Sequence, residues 1–397
     1  MLTNKTIVLG ITGGIAAYKA VDIASKLTQA GANVRVIMTK SALEFITPLT
    51  FESITGNAVV TDMFQTNAEH RINHVALSEI ADVIVIAPAT ANIIAKIACG
   101  IADDMLACTV LATKAPIIIS PSMHTNMYEN SITQENIAKL KERGFTIIEP
   151  SAGRLASGGY GTGRLPDTEV ILGAIQQALG KSGNLKGKRI VVTAGGTQED
   201  IDPVRYIGNR SSGKMGYAIA AAARDRGANV TLITTPTAIA IPEGIKTVTV
   251  RSALQMKDAV VKATAKADVL LMAAAVADYT PKTTAKQKIK KGAGGLTLEL
   301  VKTPDIISEV KGKFLKIGFA AETQNLLANA KKKLASKGLD MIVANDVTSK
   351  GSGFGTDTNK VTLISKDGKQ ESLPLMSKRE VAEKLMDRVG KMIGKKR

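Results

Sequence analysis

Short apolar runs bounded by turn residues recur along the chain and alternate with amphipathic or alanine-rich stretches. Strand-like runs fall at 5–11, 33–39, 83–87, 116–120 and 146–148, and a second series follows at 188–193, 229–235, 268–274, 316–319 and 340–344. Such alternation predicts βαβ units, and so parallel sheets covered by helices on both faces. Between the two series lies a polar link, Gly180-Lys-Ser-Gly-Asn-Leu-Lys-Gly187. The expected domains are therefore residues 1–180 and 188–397, with a linker at 181–187. Both series open alike, Thr6-Ile-Val-Leu-Gly-Ile-Thr-Gly-Gly14 against Arg189-Ile-Val-Val-Thr-Ala-Gly-Gly-Thr197, each leading into a helical stretch. The fold class expected is α/β, two doubly wound Rossmann-like domains with ligands at the carboxyl ends of their strands. A further helix is predicted over 325–337, placing Lys333 and Lys337 on one face.

At 397 residues, 45% hydrophobic and 22% charged, the chain has material for two or three globular domains and is too apolar to be disordered. No apolar run approaches the roughly 20 residues that span a bilayer, so no membrane association is expected. Gly13-Gly14 interrupts the first apolar stretch and no basic leader precedes it, which predicts a cytoplasmic protein without a secretory signal. Cys99 and Cys108, nine apart in an apolar stretch, suit neither a disulfide framework nor a zinc site and are expected to be buried thiols. The net charge of +17 is unevenly divided: 13 basic and 15 acidic residues lie through Gly180, 39 and 20 beyond it. A basic half can attract nucleic acid, an anionic membrane or a polyphosphate substrate. With 3% aromatics and no Trp, base-stacking platforms are scarce and a small phosphorylated ligand is favoured over nucleic acid.

In the first half, Gly10-Ile-Thr-Gly-Gly-Ile-Ala16 leaves a strand and enters a helix, where small residues let backbone N–H groups approach an anion. It is not G-x-G-x-x-G, and the second strand ends in Met38-Thr39-Lys40 instead of the acidic residue that holds a dinucleotide ribose, which disfavours NAD. Taken alone, the motif fits tight helix-on-strand packing as well as ligand binding. Two later loops fall where the same crevice is expected, Ala87-Pro-Ala-Thr-Ala-Asn92 and Ser120-Pro-Ser-Met-His-Thr-Asn-Met127. Thr39, Ser41, Thr90, Asn92 and Ser122 offer hydroxyls and an amide suited to a phosphate and a heteroaromatic edge. Of the three histidines, His70, His74 and His124, the last two lie beside these loops, and a functional role is expected for one of them.

Gly10-Ile-Thr-Gly-Gly-Ile-Ala-Ala-Tyr-Lys19, Ile72-Asn-His74, Ala87-Pro-Ala-Thr-Ala-Asn92, Pro121-Ser-Met-His-Thr-Asn-Met127 and Gly153-Arg-Leu-Ala-Ser-Gly158 together resemble the FMN-dependent cysteine decarboxylases over essentially the whole first half. The resemblance implies a flavodoxin-like FMN domain that oxidises a cysteinyl thiol to a thioaldehyde, loses CO₂ and returns the hydride to the enethiol. The logic is sound, since a thiocarbonyl beta to the departing carboxylate accepts the charge that a plain thioether cannot. By resemblance, His74 is the active-site histidine. Gly13, Gly14, Ile15, Thr39, Lys40, Ser41, Thr90, Ala91, Asn92, Ile93 and Ser122 line FMN, and a flexible Arg154-Leu155-Ala156 segment closes over substrate. His124 replaces the usual substrate-carboxylate-binding Asn and is expected to serve by donating a hydrogen bond. Ser157 stands where many members carry the Cys that protonates the intermediate. An active enzyme with a modified proton route is expected, the alternative being an active ligase beside a decayed, FMN-binding structural decarboxylase domain.

In the second half, Gly208-Asn-Arg-Ser-Ser-Gly-Lys214 matches the start of a P-loop, but Met215 stands where Ser or Thr would ligate magnesium and no strand immediately precedes it. What remains is a Gly/Ser loop carrying Asn209, Arg210 and Lys214 toward a helix N-terminus, suited to a phosphate or acyl-phosphate. Ala273-Ala-Ala-Val-Ala-Asp278 ends a strand with a carboxylate. Lys286-Gln-Lys-Ile-Lys-Lys291 then runs into Gly292-Ala-Gly-Gly295, which reads equally as a solvated face or as a lid over triphosphate.

The ordered set Gly195-Gly-Thr197, Asp202-Pro-Val-Arg-Tyr-Ile207, Asn209, Ser211-Ser-Gly-Lys-Met-Gly216, Ala273 to Asp278, Lys288-Ile-Lys-Lys291, Pro304-Asp-Ile306, Gly318-Phe-Ala-Ala-Glu-Thr323 and Ala344-Asn-Asp346 resembles phosphopantothenate–cysteine ligases. That resemblance implies a nucleotide-binding ligase domain. CTP activates the carboxylate of 4'-phosphopantothenate as an acyl-cytidylate, releasing pyrophosphate, and the amine of cysteine then forms 4'-phosphopantothenoylcysteine. It carries Asn209 to the acyl-cytidylate step and Lys288 to phosphate stabilisation. Met272, Ala273, Ala274, Asp278, Pro304, Asp305, Ile306, Ile307, Phe319, Lys333 and Lys337 are carried to CTP, Asp278 to Mg²⁺, and Arg205 to a dimer contact. The fusion is similar to the bacterial bifunctional enzymes of coenzyme A synthesis, which implies a homo-oligomer, a dodecamer of decarboxylase trimers and ligase dimers. A nucleic-acid binder with an attached flavin sensor is the rival, and Asp278, Asp305, Glu322 and Asp346 speak against it by breaking up any continuous basic patch.

Overall fold

The structure, a computed structural model, describes residues 2–64, 74–180, 183–291, 295–322, 325–346, 351–353 and 355–395. Of the positions named above, His70, Ile72, Asn73, Lys181, Ser182, the Gly292-Ala-Gly294 run and Thr323 lie outside the described residues. The chain divides into two compact units, Met1–Leu179 and Gly180–Arg397.

The first unit holds β1 (Thr6–Ile11), β2 (Asn33–Met38), β3 (Val83–Ala89), β4 (Ile117–Pro121) and β5 (Thr146–Ile147), all parallel, in the order β2-β1-β3-β4-β5. This is the flavodoxin-like winding, whose reversal of strand order between β1 and β3 opens a crevice at their carboxyl ends. β3 is buried at every position, as a strand covered on both faces must be. One face is packed by α1 (Ala20–Gln29), α2 (Pro48–Thr55) and α8 (Thr168–Gly180). The other is packed by α3 (His74–Ile80), α4 (Ala91–Cys99), α5 (Met105–Ala112), α6 (Thr125–Glu129) and α7 (Ser131–Glu142). An antiparallel hairpin, β6 (Ser151–Arg154) and β7 (Tyr160–Arg164), forms where a flexible segment was expected. Period-two patterning is weak there because half the residues are Gly, Ser or Thr.

The second unit holds a sheet of eight strands: β8 (Arg189–Ala194), β11 (Asn229–Thr234), β12 (Lys246–Thr249), β13 (Val269–Met272), β16 (Leu315–Glu322), β17 (Met341–Asp346), β19 (Val361–Ser365) and β20 (Gln370–Ser372). Their order is β12-β11-β8-β13-β16-β17-β19-β20. The first six are parallel in the doubly wound Rossmann order, and β19 and β20 extend the edge antiparallel, which the sequence reading did not anticipate. Small antiparallel pairs join β9 (Gln198–Asp200) to β10 (Tyr206–Gly208), β14 (Tyr279–Pro281) to β15 (Leu300–Lys302), and β18 (Thr358–Asn359) to β21 (Met376–Ser377). Helices α9 (Lys214–Arg224) and α13 (Lys378–Lys395) cover one face. On the other lie α10 (Ala253–Thr264), α11 (Ile306–Glu309) and α12 (Leu326–Ser336).

One expectation is corrected. Cys99 is exposed and Cys108 is half-buried, so neither is a core thiol. Cys99 is the last residue of α4, just before the left-handed Gly100 that ends the helix, and a helix end lifts its side chain to the surface even in an apolar stretch. Among the described residues no helix is long and apolar enough to cross a membrane.

Candidate functional site

In the first unit the turns after β1, β2, β3 and β4 meet at the carboxyl edge of the sheet. Gly13 lies so close to the turn after β2 that a Cβ placed on it would fall 2.3 Å from Ser41 Cβ and 2.8 Å from the Ser41 carbonyl carbon. Thr12, buried, donates its hydroxyl to the Pro88 carbonyl at 2.8 Å and accepts the Thr90 N–H at 3.0 Å. Thr90 in turn caps α4 by accepting the Ile93 N–H at 3.4 Å. Ser122 N–H donates to the Ala89 carbonyl at 2.9 Å and ties the turn after β4 to β3. These contacts gather at one edge of the sheet the turns that carry Gly13, Gly14, Ile15, Thr39, Lys40, Ser41, Thr90, Ala91, Asn92, Ile93 and Ser122. Thr39 Oγ1 and Ser120 Oγ, both shielded from solvent at strand ends, have no hydrogen-bond partner among the described residues. Buried hydroxyls are normally paired, so a polar ligand at this edge is chemically suited to them.

His74 opens α3 and is half-buried. His124 is the N-cap of α6: Nδ1 accepts the Asn126 N–H at 3.3 Å, which assigns the remaining ring proton to Nε2 and leaves that N–H free to donate. The β6–β7 hairpin seats on the same turn. Met123 N–H donates to the Gly163 carbonyl at 3.0 Å, and a Cβ on Gly163 would lie 2.1 Å from the Met123 carbonyl oxygen. Arg154 stands opposite Tyr160 in this hairpin, and Leu155, Ala156 and Ser157 form its tip, where Ala156 and Ser157 are exposed. Thr12 and Gly163 escaped the sequence reading. A Thr inside a glycine motif and one Gly among several carry no signal until their neighbours are known.

In the second unit a cavity of about 650 Å³ opens beyond the carboxyl ends of β13 and β16. Asn209, Met272, Ala274, Asp278, Pro304, Asp305, Ile306, Ile307, Phe319, Lys333 and Lys337 line it, brought from five separate stretches of chain. Arg210, read from the sequence as part of a phosphate-suited loop, also lines it, as do Tyr279, Lys302 and Thr303, which were not foreseen. Asn209 Nδ2 donates to the Val276 carbonyl at 3.1 Å, and Lys337 pairs with Asp305 at 3.4 Å. Two buried threonines hold the cavity wall from behind: Thr193 Oγ1 accepts the Ala274 N–H at 3.1 Å, and Thr197 Oγ1 the Ala277 N–H at 2.9 Å.

Ala273 faces a smaller adjoining cavity of about 70 Å³, which shares Phe319 with the first and is bordered by Ser211, Ser212 and Lys378. Lys378 is buried and donates to the carbonyls of Gly353 at 3.1 Å and Thr356 at 2.5 Å; burial first, and then Lys214, push its pKa down. Lys214 itself is engaged with Asp357 at 2.7 Å and the Gly355 carbonyl at 2.9 Å, so the P-loop-like lysine braces a loop.

Lys288 is exposed and is not among the cavity's lining residues. Its segment is stapled to the turn at 202–205. Ile289 N–H donates to Asp202 Oδ2 at 3.1 Å, and Arg205 Nη2 donates to the Ile289 carbonyl at 2.8 Å. The Arg205 guanidinium, 2.5 Å from Asp202 Oδ2, holds that carboxyl far below the usual aspartate range despite its burial. Among the described residues no cluster of three or more His, Cys, Asp or Glu forms a ready-made metal cage.

A flavin-type crevice on a flavodoxin-like sheet, followed by a nucleotide-sized cavity on a Rossmann sheet, defines a two-domain flavoprotein. Residues 1–180 match the family model for flavoproteins, and residues 185–392 match that for the C-terminal domain of DNA/pantothenate metabolism flavoproteins. The chain is 47% identical over 395 residues to the coenzyme A biosynthesis bifunctional protein CoaBC of Bacillus subtilis (strain 168), covering 98% of this chain and 97% of that protein. To the CoaBC of Vibrio cholerae serotype O1 (strain ATCC 39315 / El Tor Inaba N16961) it is 44% identical over 391 residues, covering 97% and 98%. A crystal structure of the C-terminal domain of a CoaBC is 44% identical, with 54% of this chain and 100% of that one covered and a TM-score of 0.47. The chain belongs to the CoaBC family of bifunctional coenzyme A biosynthesis proteins. Its activities are those of the family, phosphopantothenoylcysteine decarboxylase and phosphopantothenate–cysteine ligase.

Proposed function

We propose that the second unit joins 4'-phosphopantothenate to cysteine at the expense of CTP, and that the first unit decarboxylates the product to 4'-phosphopantetheine with FMN. The observation that carries the ligase reading is the 650 Å³ cavity, which gathers Asn209, Asp278, Asp305, Lys333 and Lys337 around one space. A carboxylate is a poor electrophile at neutral pH. Its oxygen attacks the α-phosphorus of CTP, the bond to pyrophosphate breaks, and the acyl-cytidylate so formed is attacked by the cysteine amine with loss of CMP. Lys333 and Lys337 offset charge on the departing pyrophosphate, and Asn209, fixed by the Val276 carbonyl, orients the acyl-cytidylate. Magnesium usually keeps several waters and takes one or two protein carboxylates plus phosphate oxygens. Asp278 in this cavity fits that mode, and the ion would arrive on the triphosphate. Lys288, held through Ile289 on the 202–205 turn, is the phosphate-stabilising lysine carried by an adjacent lid.

In the first unit, the amides opening α4, the turn at 13–15 and the hydroxyls of Thr39, Ser41 and Ser122 would hold FMN. When bound, FMN supplies the two-electron oxidation of the cysteinyl thiol and its reversal. His124 Nε2–H donates to the substrate carboxylate, His74 serves the oxidation step, and the hairpin carrying Arg154, Leu155 and Ala156 covers the substrate, with Ser157 relaying a proton from water. Assembly as a homo-oligomer, a dodecamer of decarboxylase trimers and ligase dimers, belongs to the same proposal, as does a cytoplasmic location.

Incubation of the full chain with CTP, magnesium, 4'-phosphopantothenate and cysteine, following pyrophosphate and CO₂ separately, tests both halves. Both products are expected. Pyrophosphate without CO₂ would select the decayed-decarboxylase alternative, and absence of both would overturn the reading. Lys288→Gln and Asn209→Asp are expected to abolish amide formation while flavin stays bound, and His74→Asn to stop CO₂ release alone.

A further inference from the structure

We infer that Thr12 is a positioning residue of the flavin site, its buried hydroxyl clasping the turn after β1 to the turn after β3 and so setting the spacing of the loops that hold FMN. The inference rests on the flavin reading of the first unit.

β1 and β3 pair from Ile7↔Val83 to Gly10↔Ile86, and beyond that point the two chains separate, one toward Ser41 and the other into α4. A crevice is created by that divergence, and something must stop it widening. In the second unit the corresponding loops, after β8 and β13, are joined by backbone bonds, Ala275 N–H to the Gly195 carbonyl at 2.8 Å and Thr197 N–H to the Ala275 carbonyl at 3.2 Å, as well as by the Thr193 and Thr197 hydroxyls, which accept the Ala274 and Ala277 N–H groups. In the first unit position 88 is proline, which has no N–H to offer. The Thr12 hydroxyl takes over, giving its one proton to the Pro88 carbonyl at 2.8 Å and accepting from the Thr90 N–H at 3.0 Å.

With 1% of its surface exposed and its proton committed, Thr12 has nothing to donate to a flavin. It acts instead through Thr90, the cap of α4, whose first amides border the crevice, and through its chain neighbours Gly13 and Gly14. A valine there keeps the shape and removes both bonds, leaving the Pro88 carbonyl and the Thr90 N–H to find other partners by moving. A serine keeps both bonds.

The test uses the full chain stripped of flavin, with Thr12→Val and Thr12→Ser beside wild type. FMN binding is read from quenching of flavin fluorescence, flavin geometry from visible circular dichroism, and folding from far-UV circular dichroism and the thermal transition without FMN. Thr12→Val is expected to raise the FMN Kd at least about tenfold and to alter the visible band, with folding of the flavin-free chain retained; Thr12→Ser is expected to stay within about threefold of wild type. A smaller effect of Val, a Ser variant as weak as Val, or a Val variant whose first unit no longer folds would each overturn the positioning role. A wild-type chain that binds no FMN would overturn the flavin reading itself, and this inference with it.

Discussion

Gly13→Ala isolates how closely the turns of the flavin crevice must approach. A Cβ at position 13 would sit 2.3 Å from Ser41 Cβ and 2.8 Å from both the carbonyl carbon and oxygen of Ser41. Carbon atoms in van der Waals contact lie about 3.5–4.0 Å apart, so the turn after β2 has to retreat by about 1 Å or more. Overpacking of this kind costs roughly 1–3 kcal/mol. If FMN binding must press the two turns back together, that strain appears as a Kd raised roughly 5- to 150-fold. The neighbouring Gly14 provides the contrast, since its Cβ would meet Thr90 Cγ2 at an ordinary 3.9 Å. Gly14→Ala is therefore expected to bind FMN more tightly than Gly13→Ala. Adding Ser41→Gly to Gly13→Ala removes the Cβ overlap and leaves those with the backbone, so it should recover only part of the loss. Fluorescence titration of the flavin-free chain measures all three. A Gly13→Ala chain binding within about twofold of wild type, or one binding better than Gly14→Ala, would refute the reasoning.

Two further outcomes follow from the same geometry. Thr197→Val leaves the buried Ala277 N–H without its acceptor, a loss of roughly 1–3 kcal/mol, and the displaced wall is expected to raise KM for CTP about fivefold or more in a pyrophosphate assay. The Tyr128 phenol is pushed up to about 12 by burial and by Glu149, which accepts its proton. A phenol whose folded pKa is raised stabilises the fold fully below its unfolded value near 10 and loses that contribution as pH rises through about 12. Thermal melts of wild type and Tyr128→Phe between pH 9 and 12 should therefore converge toward the alkaline end, and parallel curves would contradict the assignment.

The parallel strands β1–β4, β8, β11, β13, β16 and β17 were legible because a strand covered on both faces is rich in apolar residues over four to eight positions, and Val83 to Ala89 or Val269 to Met272 allow little else, whereas the half-exposed edge strand β12, Lys246–Thr249, was missed. Helix α12, observed as Leu326–Ser336, was readable over 325–337 from its periodic pattern. The β6–β7 hairpin and the antiparallel strands β19 and β20 were not, since glycine-rich or half-exposed strands lack that run and gain their pairing from partners distant in sequence. Cys99 was misplaced for a related reason: its neighbours are apolar, but its position at the end of α4 decides its exposure.

Sequence alone determined that two parallel α/β units exist, which turns fall at the carboxyl ends of their strands, and which residue types those turns carry. Strand-to-turn punctuation is local chemistry, written in apolar runs, glycines and capping residues. Only the tertiary structure decided which turns touch. It set Thr12 against Pro88 and Thr90, Gly13 against Ser41, Gly163 against Met123, and Ile289 against Asp202, and it put Ala273 in a different cavity from Ala274. Those contacts join residues up to 87 positions apart, and no spacing rule along one chain encodes them. They depend on strand order and register, which arise when the whole sheet closes its cores.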